Sequence, residues 1–299
     1  MRVIILGTGS ALPTPTRRTS ATAVVREGEM LLFDCGEGTQ LQLRKAGLRP
    51  GRLTRIFITH MHGDHVIGLM GLLMTLELNG RQRPLELYGP PALAEYVLMS
   101  TRLLCTGFRY PIIFHEVQPG IICDTSEYEV ECQPLNHRIL TYGYALQERG
   151  KPGTFNVARA SELGVPPGPL YGRLQQGHPV TLPDGRTVYP TDVLGPPKRG
   201  RRIAYCLDTR PCPEAVTLAR DADLLLYDST LAAGEEEEAS DKGHSTSFQA
   251  ATLAKQAGAK RLVLTHISSR YADPEKLSDG LEGLHDAIIV AHDLMELSV

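Results

Sequence analysis

The chain has 299 residues, 42% hydrophobic and 22% charged, with a formal net charge of −3. This is an ordinary globular composition with room for one large domain or two smaller ones. Bulk charge gives no attraction to nucleic acid, so any such contact needs a local basic patch.

Residues 3–6 read as a strand opening the chain, which leaves no room for a leader peptide, and no run of 18 apolar residues suggests a membrane span. The strand runs into Gly7-Thr8-Gly9-Ser10. That spacing is not Gly-x-Gly-x-x-Gly, so a dinucleotide loop is rejected in favour of a tight turn beside a site. Residues 22–25 and 30–33 flank Glu27-Gly28-Glu29 as a hairpin. In the following Asp34-Cys35-Gly36-Glu37-Gly38, Asp34 either orients a metal ligand or caps the helix predicted over 39–46. A strand over 53–59 then feeds Thr59-His60-Met61-His62-Gly63-Asp64-His65, followed over 65–78 by apolar residues at helical spacing. The Met and Leu side chains there belong to the core.

Three imidazoles and a carboxylate within six residues at a strand end pack poorly but suit a transition metal. Alternation aims His60 and His62 at one point, while Asp64 and His65 fall on the next turn and face a second ion. A surface histidine cluster without metal is the bland alternative, and the ligand candidates farther along argue against it. Strands are predicted at 84–88, 112–114, 128–132 and 142–147, with a helix over 91–104 that has Pro91 in its first turn. Leu135-Asn136-His137 lies in the loop between the last two strands. Beyond residue 200, strands at 202–207, 224–227 and 261–265 alternate with helices at 215–220 and 247–257. The alternation predicts an α/β sandwich with helices outside the sheets.

Residues 148–200 interrupt that rhythm and are rich in Gly and Pro. Residues 146–202 hold nine Lys or Arg against four Asp or Glu, the remainder 22 against 30. A basic insertion on an acidic body reads as a binding appendage in preference to a solvated loop. The six cysteines form no Cys-x-x-Cys pair and read as reduced thiols of a cytoplasmic protein.

A two-metal site needs about seven or eight protein ligands. His60, His62, Asp64 and His65 are joined by His137, Asp208 and His266, each of which ends a predicted apolar strand. His115 competes on the same logic, whereas His178, His285 and His292 lack that context. With Asp208 bridging, one ion would take His60, His62 and His137, and the other Asp64, His65 and His266. Two zinc ions roughly 3.5–4 Å apart activate a hydroxide and clamp a phosphodiester.

His-x-His-x-Asp-His, then a lone His, an Asp-Thr and a late His, resembles the metallo-β-lactamase superfamily. Further stretches are similar to the ribonuclease Z family, endonucleases that remove 3′ trailers from precursor tRNA. These are Phe33-Asp34-Cys35-Gly36-Glu37, the stretch from Phe57 to His65, Pro166-Pro167-Gly168-Pro169, Pro196-Pro197-Lys198-Arg199-Gly200, His244-Ser245-Thr246 and Leu264-Thr265-His266-Ile267-Ser268. The likeness runs over nearly the whole chain in order. His-x-His-x-Asp-His alone is shared with glyoxalases, lactonases and lactamases; the insertion together with the last two motifs is far more specific.

The resemblance implies a single αββα domain over 1–299, a protruding flexible basic arm over 148–200, and two zinc ions per subunit, with other divalent ions able to substitute. Asp64 would be both ligand and general base for the attacking water. His244 would protonate the leaving 3′ oxygen, oriented by an acidic partner. Where the family usually has His-Glu-Ala-Thr, this chain has Tyr227-Asp228-Ser229-Thr230, so Asp228 takes that role with a side chain one methylene shorter. Ser268 and Arg270 would contact phosphate. Lys151, Arg159, Arg173, Lys198, Arg199, Arg201 and Arg202 would let the arm grip the tRNA elbow by shape. Family members are commonly homodimers in which one subunit's arm holds RNA for the other's site. Competing readings are a small-molecule ester, thioester or lactone hydrolase of the same fold, a di-iron redox protein, and a metal-stabilised RNA-binding protein without catalysis.

Overall fold

A computed structural model describes residues 1–299. Its strands are β1 (Arg2–Gly7), β2 (Ala21–Arg26), β3 (Glu29–Phe33), β4 (Leu53–Phe57), β5 (Leu85–Gly89), β6 (Ile112–Glu116), β7 (Gly120–Asp124), β8 (Tyr128–Pro134) and β9 (Tyr142–Glu148). These are followed by β10 (Val180–Thr181), β11 (Thr187–Val188), β12 (Arg202–Cys206), β13 (Leu224–Asp228), β14 (Leu262–Thr265), β15 (Ile288–Val290) and β16 (Met295–Ser298). Two seven-stranded sheets result, in the orders β16-β1-β2-β3-β4-β5-β6 and β15-β14-β13-β12-β9-β8-β7.

The period-2 alternation of the strands sorts two faces. Ile4, Leu32, Ile56 and Leu87 share one cluster with Leu43, Leu69, Leu72, Leu76 and Val97 from helices Thr39–Lys45, Gly68–Leu78 and Ala92–Leu103. The opposite parity carries Phe33 and Phe57, stacked with centroids 5.0 Å apart, and Phe33 meets Tyr144 at 6.1 Å and Tyr205 at 5.5 Å on the other sheet. Helices Pro213–Ala219 and Ser247–Ala257 cover the second sheet's outer face through Ala215, Leu218, Ala250, Ala251, Ala254 and Ala257. Helix, sheet, sheet and helix therefore stack in the αββα order, each buried aliphatic or aromatic side chain contributing about 1.5–3 kcal/mol. Thr246 starts the last helix as a capping box, its Oγ1 accepting from Gln249 N at 3.3 Å while Gln249 Oε1 accepts from Thr246 N at 3.0 Å.

Strands β3 to β6 run parallel, as do β12 to β15. His60 follows β4, Asp208 follows β12, and His266 follows β14, so the parallel C-terminal ends carry the polar residues. The strand expected over 53–59 ends at Phe57, and the helix expected over 65–78 is split into Gly63–Val66 and Gly68–Leu78. Strands β7, β15 and β16 and helix Glu236–Lys242 carry no clear periodic signal. The four residues of β16 are paired with β1 from Arg2↔Ser298 to Ile5↔Met295 and depend on that distant partner.

A second compact unit comprises Thr125–Tyr128 and Gln147–Arg201. It holds helices Val157–Glu162, Pro169–Gln175 and Pro190–Val193, the β10–β11 hairpin, and its own core of Ala160, Val165, Leu174, Val180, Leu182, Val188 and Val193. The Pro-rich composition hid the last two of these helices because Pro169 and Pro190 open them at the first turn, where a missing N–H costs nothing. All six cysteines are free thiols, and no helix is long and apolar enough to cross a membrane.

Candidate active site

The stretch after β4 turns His60 and His62 inward, and two further elements bring His137 and Asp208 to them. His60 Nε2 lies 2.9 Å from His62 Nδ1 and 3.5 Å from Asp208 Oδ2; His137 Nε2 lies 3.3 Å and 3.6 Å from the same two atoms. Beside this group, His65 Nε2 stands 3.2 Å from His266 Nε2, 3.5 Å from Asp64 Oδ2 and 3.0 Å from Asp208 Oδ1. His266 Nε2 is 3.3 Å from Asp64 Oδ2 and 3.1 Å from Asp208 Oδ1. Asp208 thus offers one oxygen to each cluster.

These spacings match the edge of a tetrahedron, roughly 3.4 Å for ligands about 2.1 Å from a cation. Asp208 Oδ1 is buried and makes no hydrogen bond. An orphaned carboxylate oxygen faced by inward-pointing imidazoles is costly as a hydrogen-bonding arrangement and apt for a pair of cations. Two His/Asp clusters suited to a di-metal site are therefore present.

Outer partners fix the rings. His60 Nδ1 meets Thr59 Oγ1 at 2.9 Å, His65 Nδ1 meets Asp34 Oδ2 at 2.7 Å, His137 Nδ1 meets Gly243 O at 2.7 Å, and His266 Nδ1 meets Thr230 Oγ1 at 2.9 Å. Each bond leaves the opposite nitrogen's lone pair directed inward. Asp34 also accepts from Thr59 N at 2.8 Å and Tyr205 OH at 3.1 Å, whereas Gly38 caps the first helix, so Asp34 takes the orienting role and not the capping one. Asp34, Asp208 and His266 adopt φ of +57°, +52° and +61°. Such left-handed residues cost about 1–3 kcal/mol each and cluster at functional sites.

Burial pushes His60, His62 and His137 below the ordinary imidazole value, toward the neutral form that offers a lone pair. Burial opposes ionisation of Asp64, but hydrogen bonds from His266 and His65 outweigh it and hold the carboxyl well below its usual range. Asp208 is likewise held anionic against burial by His266, His65 and His60.

His244 stands beside these clusters. Its Nδ1 donates to Asp228 Oδ2 at 2.8 Å, and it lies 4.0 Å from the ligand Asp208. The buried Asp228 also accepts from Thr209 N at 3.0 Å, Thr230 N at 2.9 Å and Thr230 Oγ1 at 2.7 Å. Burial works against a charge on His244, but the Asp228 carboxylate prevails and raises it to about 9. Gly243 precedes it at φ +84°, and a Cβ there would stand 2.8 Å from His137 Nδ1. Glycine therefore lets the chain pass close enough for its carbonyl to hold His137. The pocket over these groups is about 370 Å³, bordered by Ala11 and Ile67 on one part and by Asp64, His244, Arg138 and Lys242 on others.

The family model of the β-lactamase superfamily domain matches residues 174–267, and that of the anti-Pycsar protein Apyc1 matches residues 1–110. A ribonuclease Z of Acaryochloris marina is 50% identical over 91% of this chain and 87% of its own. This chain belongs to the ribonuclease Z family. A ribonuclease BN of Cronobacter sakazakii is 44% identical over 100% of both chains. The crystal structure of the short form of human tRNase Z covers 100% of this chain and 99% of its own, with a TM-score of 0.74 and 33% identity. The fold is the metallo-β-lactamase fold.

For a ribonuclease Z, the shorter Asp228 is a departure, yet it reaches His244 at ordinary hydrogen-bond length. Arg270, expected on phosphate, is instead paired with Glu235 at 3.0 Å and Glu238 at 3.0 Å, and does not border the pocket. Ser268, half-buried, donates its amide to Thr230 O at 3.2 Å and steadies the turn after His266. Arg138 and Lys242 are the basic groups that do face the pocket. Arg138 adjoins His137 and Lys242 lies two residues before His244, which was the available signal. Lys151, Arg173, Lys198 and Arg199 are exposed residues of the second compact unit. His115 lies on β6, stacked on Tyr88 at 4.3 Å, outside the site. His178 is exposed, His285 Nε2 bonds Ala259 O at 2.8 Å, and His292 Nδ1 bonds Asp293 O at 3.1 Å.

Proposed function

We propose that this chain is an endoribonuclease that hydrolyses the phosphodiester joining precursor tRNA to its 3′ trailer. The observation carrying this reading is a shared Asp208 between two His/Asp clusters, with His244 lining the same pocket and hydrogen-bonded to the buried Asp228 behind it. Bound at His60, His62, His137 and Asp208 and at Asp64, His65, His266 and Asp208, cations would supply Lewis acidity to water and to the phosphoryl oxygens. The imidazole-rich donor set favours zinc over magnesium or calcium.

Asp64, held anionic, accepts the proton of the attacking water as its oxygen bonds to phosphorus. The bond from phosphorus to the 3′ oxygen breaks, and His244, with Nδ1 committed to Asp228, gives the proton on Nε2 to that oxygen. The products are a 3′-hydroxyl on the tRNA and a 5′-phosphate on the trailer. Arg138 and Lys242 at the pocket border attract the phosphate backbone.

The basic segment 148–200 serves as the tRNA-gripping arm, with Lys151, Arg173, Lys198 and Arg199 as its phosphate contacts; their exposure and the local excess of positive charge support this. A homodimer is supported by Leu98, Met99, Leu103 and Leu104, which are 62%, 47%, 72% and 57% exposed on and just after one helix. Free thiols fit a reducing cytoplasm.

Zinc-loaded protein incubated with a precursor tRNA should make a single cut near the discriminator base, leave a 3′-hydroxyl, and lose activity in EDTA. Intact RNA with turnover of thioesters or lactones would move the function to a small-molecule hydrolase. Alanine at the four arm cations should depress cleavage of precursor tRNA while sparing a small phosphodiester; equal loss on both counts against the arm. Sedimentation of the purified protein should give twice the chain mass, and a monomer would rule out the dimer.

A further inference from the structure

We infer that Asp293 is a positioning residue for the half of the site formed by Asp64 and His266, an inference that rests on reading that half as a metal position. Asp293 lies between β15, an edge strand of one sheet, and β16, which pairs with β1 of the other. Its Oδ1 accepts from Thr8 N at 3.0 Å and Thr8 Oγ1 at 2.8 Å; its Oδ2 accepts from Arg18 N at 2.7 Å and Gln42 Nε2 at 3.2 Å. One carboxylate thus holds both ends of the loop that leaves β1 and returns to β2.

The same neck is tied by Gly9 N donating to Arg18 O at 2.8 Å. It is closed so tightly that a Cβ on Gly7 would stand 1.9 Å from Thr19 O. Three of the four groups facing Asp293 are N–H donors, at least one on each oxygen, and the Thr8 hydroxyl donates as the fourth, so an acceptor-only side chain satisfies them all. An asparagine would turn an NH2 toward either Thr8 or Arg18 and release one end of the loop.

The loop delivers two contacts to the site. Ala11 N donates to Asp64 Oδ2 at 2.8 Å, from an Ala11 held at φ +60°. Ile267, the residue after His266, is bracketed on both sides, its N donating to Thr8 O at 2.7 Å and its O accepting from Ser10 N at 3.0 Å. Asp64 and His266 belong to the same cluster. The other cluster receives nothing from this loop: His60 is braced by Thr59 and His137 by Gly243. Loosening the loop therefore acts on one metal position and spares its neighbour.

The test uses Asp293→Asn and Asp293→Ala in the full chain. Zinc titration of the metal-free protein against a chromogenic chelator should show two sites in the parent. In the variants one site should keep its affinity and the other weaken about tenfold or more, the scale seen when an outer partner of a metal ligand is lost. The kcat for precursor tRNA should fall in parallel and recover partly in excess zinc, with KM within about twofold. Amide hydrogen exchange of the metal-free variants should speed up across residues 8–18 and at Ile267. Equal weakening of both sites, or unchanged zinc binding alongside a lower Tm, would overturn the inference, as would unchanged exchange in the loop. A parent that binds no second zinc would sink the metal reading instead, and the exchange data would still judge the clamp.

Discussion

Asp64→Ala should abolish cleavage of precursor tRNA and leave RNA binding within a few-fold. The side chain stands in two roles at once. Its Oδ2 closes the cluster with His65 at 3.5 Å and His266 at 3.3 Å, and in the proposed mechanism its carboxylate would accept the proton of the attacking water. General-base assistance alone is worth about 10²–10⁴ in rate, and the lost ligand adds to that. On the proposed reading, the affinity for RNA would come instead from phosphate contacts of cations such as those of the basic segment, which the substitution leaves alone. Single-turnover cleavage and filter binding check the two halves separately. Asp64→Asn, which keeps a ligand oxygen but is a far poorer base, should lose turnover while holding more zinc than the alanine variant. Weakened binding with intact turnover would overturn the assigned roles.

His244→Ala should lower kcat for precursor tRNA by about 10²–10⁴, the usual yield of a general acid, with zinc content unchanged. The leaving 3′ oxygen is a poor leaving group and needs the proton, whereas p-nitrophenolate does not. Loss on bis-p-nitrophenyl phosphate should therefore be much smaller, and an equal loss on both substrates would argue for a structural role. The pH dependence sharpens this. As the proposed general acid His244 would have to be protonated to act, and the Asp228 carboxylate is what raises it, to about 9. A raised group holds its acid form below the folded value and loses it as pH rises through that value. Asp228→Asn removes the anion, so the alkaline limb of kcat should move to lower pH. A limb that stays in place would detach Asp228 from the acid's tuning.

Much of the site was legible because its densest part is local. His60 and His62 sit in the short segment between β4 and the helix Gly63–Val66, which itself carries Asp64 and His65, so all four are close together in the sequence. The strands that precede Asp208 and His266 were equally readable, since burial on both faces leaves the apolar runs Ile-Ala-Tyr-Cys and Leu-Val-Leu. The sandwich followed from the rhythm of those strands and the helices between them.

Other features depended on contacts that no window of sequence contains. His115 and His137 have the same local credentials; β6 is an edge strand that carries His115 to Glu86 and Tyr88, whereas the loop after β8 brings His137 to Gly243, 106 residues away. Asp34 had two plausible partners until Thr59, His65 and Tyr205 converged on it. Arg270 looked available for phosphate, but Glu235 and Glu238 come beside it from another element. The sequence by itself determined which residues could bind metal and on which kinds of element they stand. Only the tertiary structure decided which of them meet, because the pairing of His65 with His266 closes a separation of 201 residues and is set by two sheets packing face to face.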